Sequence, residues 1–188
     1  MRRGADARGV GEALRDAASG DLLLLQGNLS EATTRAALEA AGSHGMTRVV
    51  NPSPLRPWQA GLLAACETIF VNAAEAAALA GSDGVDAARV LHDRGVAHVV
   101  VTRGAAGALV SGPGGIAEVP AEPVAVRDTT GAGDAFLGAA LASALLRRTM
   151  IDAAALHAGA RAAAIAVSRS GAFAALPTTA ELAAIMRR

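Results

Sequence analysis

Short apolar runs alternate along this chain with alanine-rich stretches of helical period. Leu22-Leu23-Leu24-Leu25-Gln26 comes first; consecutive apolar positions suit a strand covered on both faces. Gly27-Asn28 is a turn, and Ser30 reads as the N-cap of a helix over 31–41. Strands are predicted at 47–50, 68–71 and 96–102, the first of these stopped by Asn51-Pro52-Ser53-Pro54. Helices are predicted at 73–80 and 84–94. Residues 108–110 and 116–119 read as an antiparallel pair joined by Ser111-Gly112-Pro113-Gly114-Gly115. A strand at 123–127 then leads into a helix over 135–147. Another helix spans 151–168, and a last one follows Pro177 with Thr178 or Thr179 as its cap. Strands alternating with helices imply an α/β fold with a mostly parallel sheet, taken as one domain over 21–188. Residues 1–20 form a tail, frayed or folded as an amphipathic helix at 10–18.

Composition narrows the chemistry. Apolar residues make up 52% of the 188 and charged ones 18%, enough apolar material for a core and too little charge for disorder. The formal net charge is +0, so neither nucleic acid nor a membrane surface is expected as a partner. All 17 basic residues are arginine. Without lysine there is no lysine phosphate loop and no Schiff base. Cys66 is alone, so no internal disulfide forms, and a core or half-buried thiol is expected. His44, His92, His98 and His157 lack metal-ligand spacing. No apolar run reaches the length of a membrane span. Met1-Arg2-Arg3 is followed by no apolar stretch of the signal-peptide kind, which leaves the cytoplasm as the expected compartment.

Asp128-Thr129-Thr130-Gly131-Ala132-Gly133-Asp134 carries the most chemistry. Gly131, Ala132 and Gly133 let backbone approach a ligand where a helix starts. First-turn N–H groups lack intrahelical partners and favour an anion such as phosphate. Asp134, in the same turn, is a poor phosphate ligand but a sensible base for a hydroxyl about to attack phosphorus, so the motif points to phosphoryl transfer to an alcohol. A plain glycine-rich helix start is the bland alternative. A dinucleotide fingerprint fits worse, because Phe136 stands where a third glycine should. Thr102-Arg103-Gly104-Ala105-Ala106-Gly107 follows a strong strand and is either a ligand loop or a tight turn. Asn72 and Glu75 are either a helix cap with its first-turn acid or groups orienting the waters of Mg2+. Gly171 fits a C-cap after the 151–168 helix.

These segments together resemble the ribokinase-like (PfkB) carbohydrate kinase family over about residues 21–185. The resemblance implies a three-layer α/β/α fold in which Asp134 is the catalytic base and the Gly131, Ala132 and Gly133 amides form an anion hole. Asp128 and Thr130 would help bind a monovalent cation of the K+ type. The segment Ala166-Val167-Ser168-Arg169-Ser170-Gly171-Ala172 would add backbone carbonyls, with Arg169 and Gly171 among the metal-site residues. Asn72-Ala73-Ala74-Glu75 is similar to the family's Asn-x-x-Glu element, tied to magnesium and phosphate. Thr102 to Gly107 (Thr102, Arg103, Gly104, Ala105, Ala106, Gly107) is similar to its nucleotide loop. Gln26-Gly27-Asn28 and Asn51-Pro52-Ser53-Pro54 also look like family landmarks. Near Ala160-Arg161, where members place an Asn or His against the nucleotide, there is no match.

Family members are longer, and the N-terminal portion that binds the sugar, with its lid, has no counterpart here. The expected activity is transfer of the ATP γ-phosphate to a sugar hydroxyl. The rival is a nucleotide-binding remnant or subunit without turnover of its own. The missing portion should leave an apolar sheet edge or face exposed, so a homo-oligomer or a partner chain is expected.

Overall fold

The computed structural model describes residues 7–187. The expected tail therefore lies partly outside the described residues, as does Met1-Arg2-Arg3. Six strands form one sheet in the order β1 (Leu22–Gln26), β2 (Thr47–Asn51), β3 (Thr68–Asn72), β4 (His98–Thr102), β5 (Ala108–Gly112) and β6 (Gly115–Val119). β1 pairs parallel with β2, and β2 with β3; β5 and β6 are antiparallel. The chain falls into two compact units divided between Val100 and Val101.

In the first unit, α1 (Ala7–Ala13) packs on α2 (Glu31–Ser43). The tail helix predicted at 10–18 thus ends at Ala13 and begins earlier. Ser30 caps α2 as expected, its Oγ accepting from Thr33 N–H at 3.2 Å. Leu38 and Ala41 turn inward from α2, and Val49, Ile69, Phe70 and Val71 fill the sheet's share of the core. Cys66 is buried, its thiol donating to the Leu63 carbonyl. Burial pushes that thiol up to about 12, so it is a structural group. A 3-10 stretch at Pro57–Ala65 was not anticipated. α3 (Ala73–Ala80) and α4 (Gly84–Asp93) follow β3.

In the second unit, β5 and β6 pair antiparallel as predicted, but Ser111, Gly112 and Gly115, expected in the connection, are paired strand residues, with Gly112 opposite Gly115. The 123–127 segment is not a strand, contrary to expectation. Pro120 and Pro123 withdraw two ladder donors from its approach. Val124 and Val126 are exposed, so no apolar face is buried to hold it. α5 (Ala132–Arg147) and α6 (Ala153–Val167) pack closely. Phe136 is buried against Gly159, where a Cβ would lie 2.9 Å from both the Phe136 ring and its carbonyl oxygen. Ala135, Ala139, Ala158, Ala162 and Ala166 then form a core of small residues with Ile185 of α7 (Thr179–Met186).

Candidate active site

α5 starts at Ala132, inside the motif and three residues ahead of the predicted boundary. Gly131 caps it in the left-handed conformation, at φ 79°, which a glycine reaches without strain. Just before it, Thr130 N–H donates to Asp128 Oδ1 at 2.9 Å and Ala132 N–H to the Thr129 carbonyl at 3.2 Å. An anion at this turn therefore competes with Thr129 for the Ala132 amide. A side chain built at Gly133 would meet nothing within 4 Å, so the backbone there is open to approach. Asp134 is exposed in the first turn, immediately before the buried Ala135-Phe136-Leu137.

Asp128 ties two loops together. Its Oδ2 accepts the N–H of Gly171 at 3.0 Å, from 43 residues away in sequence. The N–H groups of Arg127 and Asp128 both donate to the Val167 carbonyl, at 2.8 and 3.3 Å. The Thr130 N–H, the Thr130 hydroxyl and the Gly171 N–H hold the Asp128 carboxyl below the usual aspartate range. Gly171, at φ 93°, is thus not the C-cap of α6; Ser168 is. The Arg169 side chain pairs with Glu181 of α7 through both terminal guanidinium nitrogens. That pair, with the N–H and hydroxyl of Thr178, holds the Glu181 carboxyl at about 2. A guanidinium cannot ligate a cation, so Arg169 could join a metal site only through its backbone carbonyl.

The loop after β4 closes on itself. Arg103 N–H donates to the Gly107 carbonyl at 2.8 Å, around a 3-10 turn at Gly104–Ala106. A Cβ at Gly107 would fall 2.0 Å from the Val119 carbonyl oxygen, so glycine is required there by the end of β6. The Arg103 guanidinium reaches Glu118 at 2.7 Å, a partner that local pattern does not flag. Gly104 faces open space, as Gly133 does, while Thr102 is half-buried and Ala105 and Ala106 are exposed. Arg161, where the nucleotide-facing residue had no match, pairs with Glu122 at 3.5 Å.

In the first unit, Asn72 and Glu75 form a reciprocal capping box on α3. Asn72 Oδ1 accepts from Glu75 N–H at 2.9 Å, and Glu75 Oε2 accepts from Asn72 N–H at 3.0 Å. The cap reading is what the geometry displays. It occupies one Glu75 oxygen and leaves Oε1 outside that bond.

Among the described residues no three His, Cys, Asp or Glu side chains cluster as a metal site, and no helix is long and apolar enough to cross a membrane. A donor set of one carboxylate and backbone carbonyls fits a monovalent cation, which needs no such cluster. The open backbone at Gly104 and Gly133 fits phosphate approach.

The pfkB family carbohydrate kinase model matches residues 7–179. The chain belongs to the PfkB family. It is 35% identical to ribokinase of Haemophilus influenzae over 87% of this chain and 55% of that protein. The Thermotoga maritima ribokinase structure superposes with a TM-score of 0.78 at 28% identity, covering 98% of this chain and 60% of that one. A fructokinase double mutant from Vibrio cholerae, solved with fructose, ADP and potassium ion bound, gives 0.78 at 25% identity, over 90% and 61%. The fold is therefore ribokinase-like, with a mostly parallel sheet. This PfkB chain spans little more than half the length of those relatives.

Proposed function

We infer that this PfkB chain carries the base-bearing and nucleotide-binding part of an ATP-dependent sugar kinase. The carrying observation is Asp134, exposed in the first turn of α5, three residues after the left-handed Gly131 and beside open backbone at Gly133. In this reading Asp134 takes the proton of a sugar hydroxyl. The hydroxyl oxygen bonds the γ-phosphorus, and the bond from that phosphorus to the β–γ bridging oxygen breaks, releasing ADP. Phosphoryl transfer needs positioning and charge stabilisation above all, which amides at a helix start supply. The relative solved with ADP and fructose supports this substrate class.

Asp128, with the carbonyls of the 166–172 segment, would hold a monovalent cation, supplying a fixed positive charge that braces the 128–134 loop. Thr130 is assigned to the same site. Glu75 and Asn72 would orient the waters of Mg2+, which neutralises phosphate charge. The Thr102–Gly107 loop is assigned to the nucleotide.

A coupled ADP-release assay over pentoses, ketoses and nucleosides tests the reading. Turnover on at least one acceptor is expected, cut roughly 10²- to 10⁴-fold by Asp134→Asn, the usual yield of a general base. Full turnover in that variant would remove Asp134 from the reaction. A second reading is a nucleotide-binding remnant or subunit without turnover of its own. It predicts ATP binding with no ADP release on any acceptor.

A further inference from the structure

α7 packs on α6 through Leu182, Ile185 and Met186, positions of one helical face that meet the alanine-rich core. The same helix brings Glu181 to the loop that follows α6. Glu181 Oε1 accepts from Arg169 Nη2, and Oε2 accepts from Nη1 at 3.2 Å. Oε2 also accepts from the N–H and the hydroxyl of Thr178, at 2.8 and 2.9 Å. Arg169 Nη1 donates in addition to the Leu176 carbonyl at 3.4 Å. The Arg169 side chain thus ties the start of the 169–176 loop to its end and to α7. Its backbone is tied as well. The Arg169 N–H donates to the Ala166 carbonyl at 3.2 Å, and two residues on the Gly171 N–H donates to Asp128 Oδ2 at 3.0 Å. The Arg169 carbonyl lies between these two fixed points.

We propose that Glu181 is a positioning residue for the monovalent cation, fixing the direction of the Arg169 carbonyl by holding the Arg169 side chain. The inference rests on the assignment of that cation to Asp128 and the carbonyls of the 166–172 segment. Glu181 touches no ligand itself; it acts through Arg169, as the hydrogen-bonded partners of metal ligands do elsewhere. Carbonyl oxygens bind a K+-type ion by replacing its hydration shell together, which favours directions set before the ion arrives. The side chains of the pair are 36% and 33% exposed. A half-exposed ion pair adds little to global stability, so this one should show its effect in cation binding more than in the fold.

Thermal melts in KCl and in tetramethylammonium chloride at equal ionic strength test this, since the methyl groups of the organic cation keep carbonyl oxygens from its charge. Wild type should melt higher in KCl, with an excess that saturates as K+ is raised. Glu181→Gln and Glu181→Ala should move the K+ midpoint up about tenfold, the usual effect of removing such a support. Asp152→Ala is the matched control. Asp152 binds both terminal nitrogens of Arg147 and caps the opposite end of α6, accepting from Ala155 N–H at 2.9 Å. Its loss should lower the melting temperature in both salts and leave the K+ midpoint in place. Glu181 variants that keep the midpoint of a K+-responsive wild type would overturn this role and leave the cation site standing. A midpoint moved as far by Asp152→Ala would overturn it too, because general destabilisation would then account for the effect. A wild type with no excess in KCl would remove the cation site, and this role with it.

Discussion

Asp128 holds its loop by accepting hydrogen bonds from backbone N–H groups on a charged carboxylate, and that makes the loop acid-sensitive. Its folded-state pKa lies below the ordinary aspartate value. The stabilisation is therefore present above the ordinary value and is lost as pH falls through the folded one. Denaturant midpoints of wild type and Asp128→Asn should differ at pH 7 and converge as the pH drops below 4, roughly the unperturbed aspartate value. A difference that persists unchanged into strong acid would show that the carboxylate charge is not what holds the loop. At this scale several local caps were legible, although Asp152, which caps α6 by accepting from Ala155 N–H, was read as part of the helix. Ser30, Asn72, Glu75 and Thr178 cap helices over three residues, and all four were readable. Gly171 was misread as a C-cap because its partner is Asp128, and nothing local announces a contact across 43 residues. Glu118 and Glu181 went unnoticed for the same reason.

Elements followed their periodicity. β1 and α3 lie where apolar pattern and turn residues put them, and β5 and β6 pair as predicted across a shorter connection. The 123–127 segment failed because a strand depends on a partner and a buried face, and alternation in Val124 and Val126 promises neither. The 3-10 stretch at Pro57–Ala65 was hidden because its apolar residues keep neither a strand nor an α-helical period. Helix packing supplies a test of sign. Gly→Ala inside a helix normally stabilises by up to about 1 kcal/mol. At Gly159 the new methyl would meet the Phe136 ring and carbonyl at 2.9 Å. Overpacking of about 1–3 kcal/mol should win there. At Gly138, with nothing within 4 Å, it should not. Thermal melts of Gly159→Ala and Gly138→Ala should therefore move in opposite directions. A stabilised Gly159→Ala would mean that α5 and α6 separate easily.

For the whole molecule, the mostly parallel sheet was readable from the alternation of strands and helices, and the family from a few short motifs that place small residues at particular positions. The acceptor was not, since the part of the relatives that has no match here carries no residues to read. Ligand binding offers a test that does not depend on turnover. ATP with magnesium at saturating excess should raise the melting temperature, by the equivalent of about 2.7 kcal/mol at a hundredfold excess over Kd, while NAD should not. No shift with ATP would count against an assembled nucleotide site in this chain.

The alanine-lined contact between α5 and α6 sets the direction in which this protein is fragile. Truncating an alanine removes a single methyl group, so the familiar damage of cavity formation has few places to act in that core. Enlargement is the hazard: a valine or leucine at Ala139, Ala158 or Ala162 has nowhere to go. Tolerated change at these three alanines should accordingly be confined to glycine and serine.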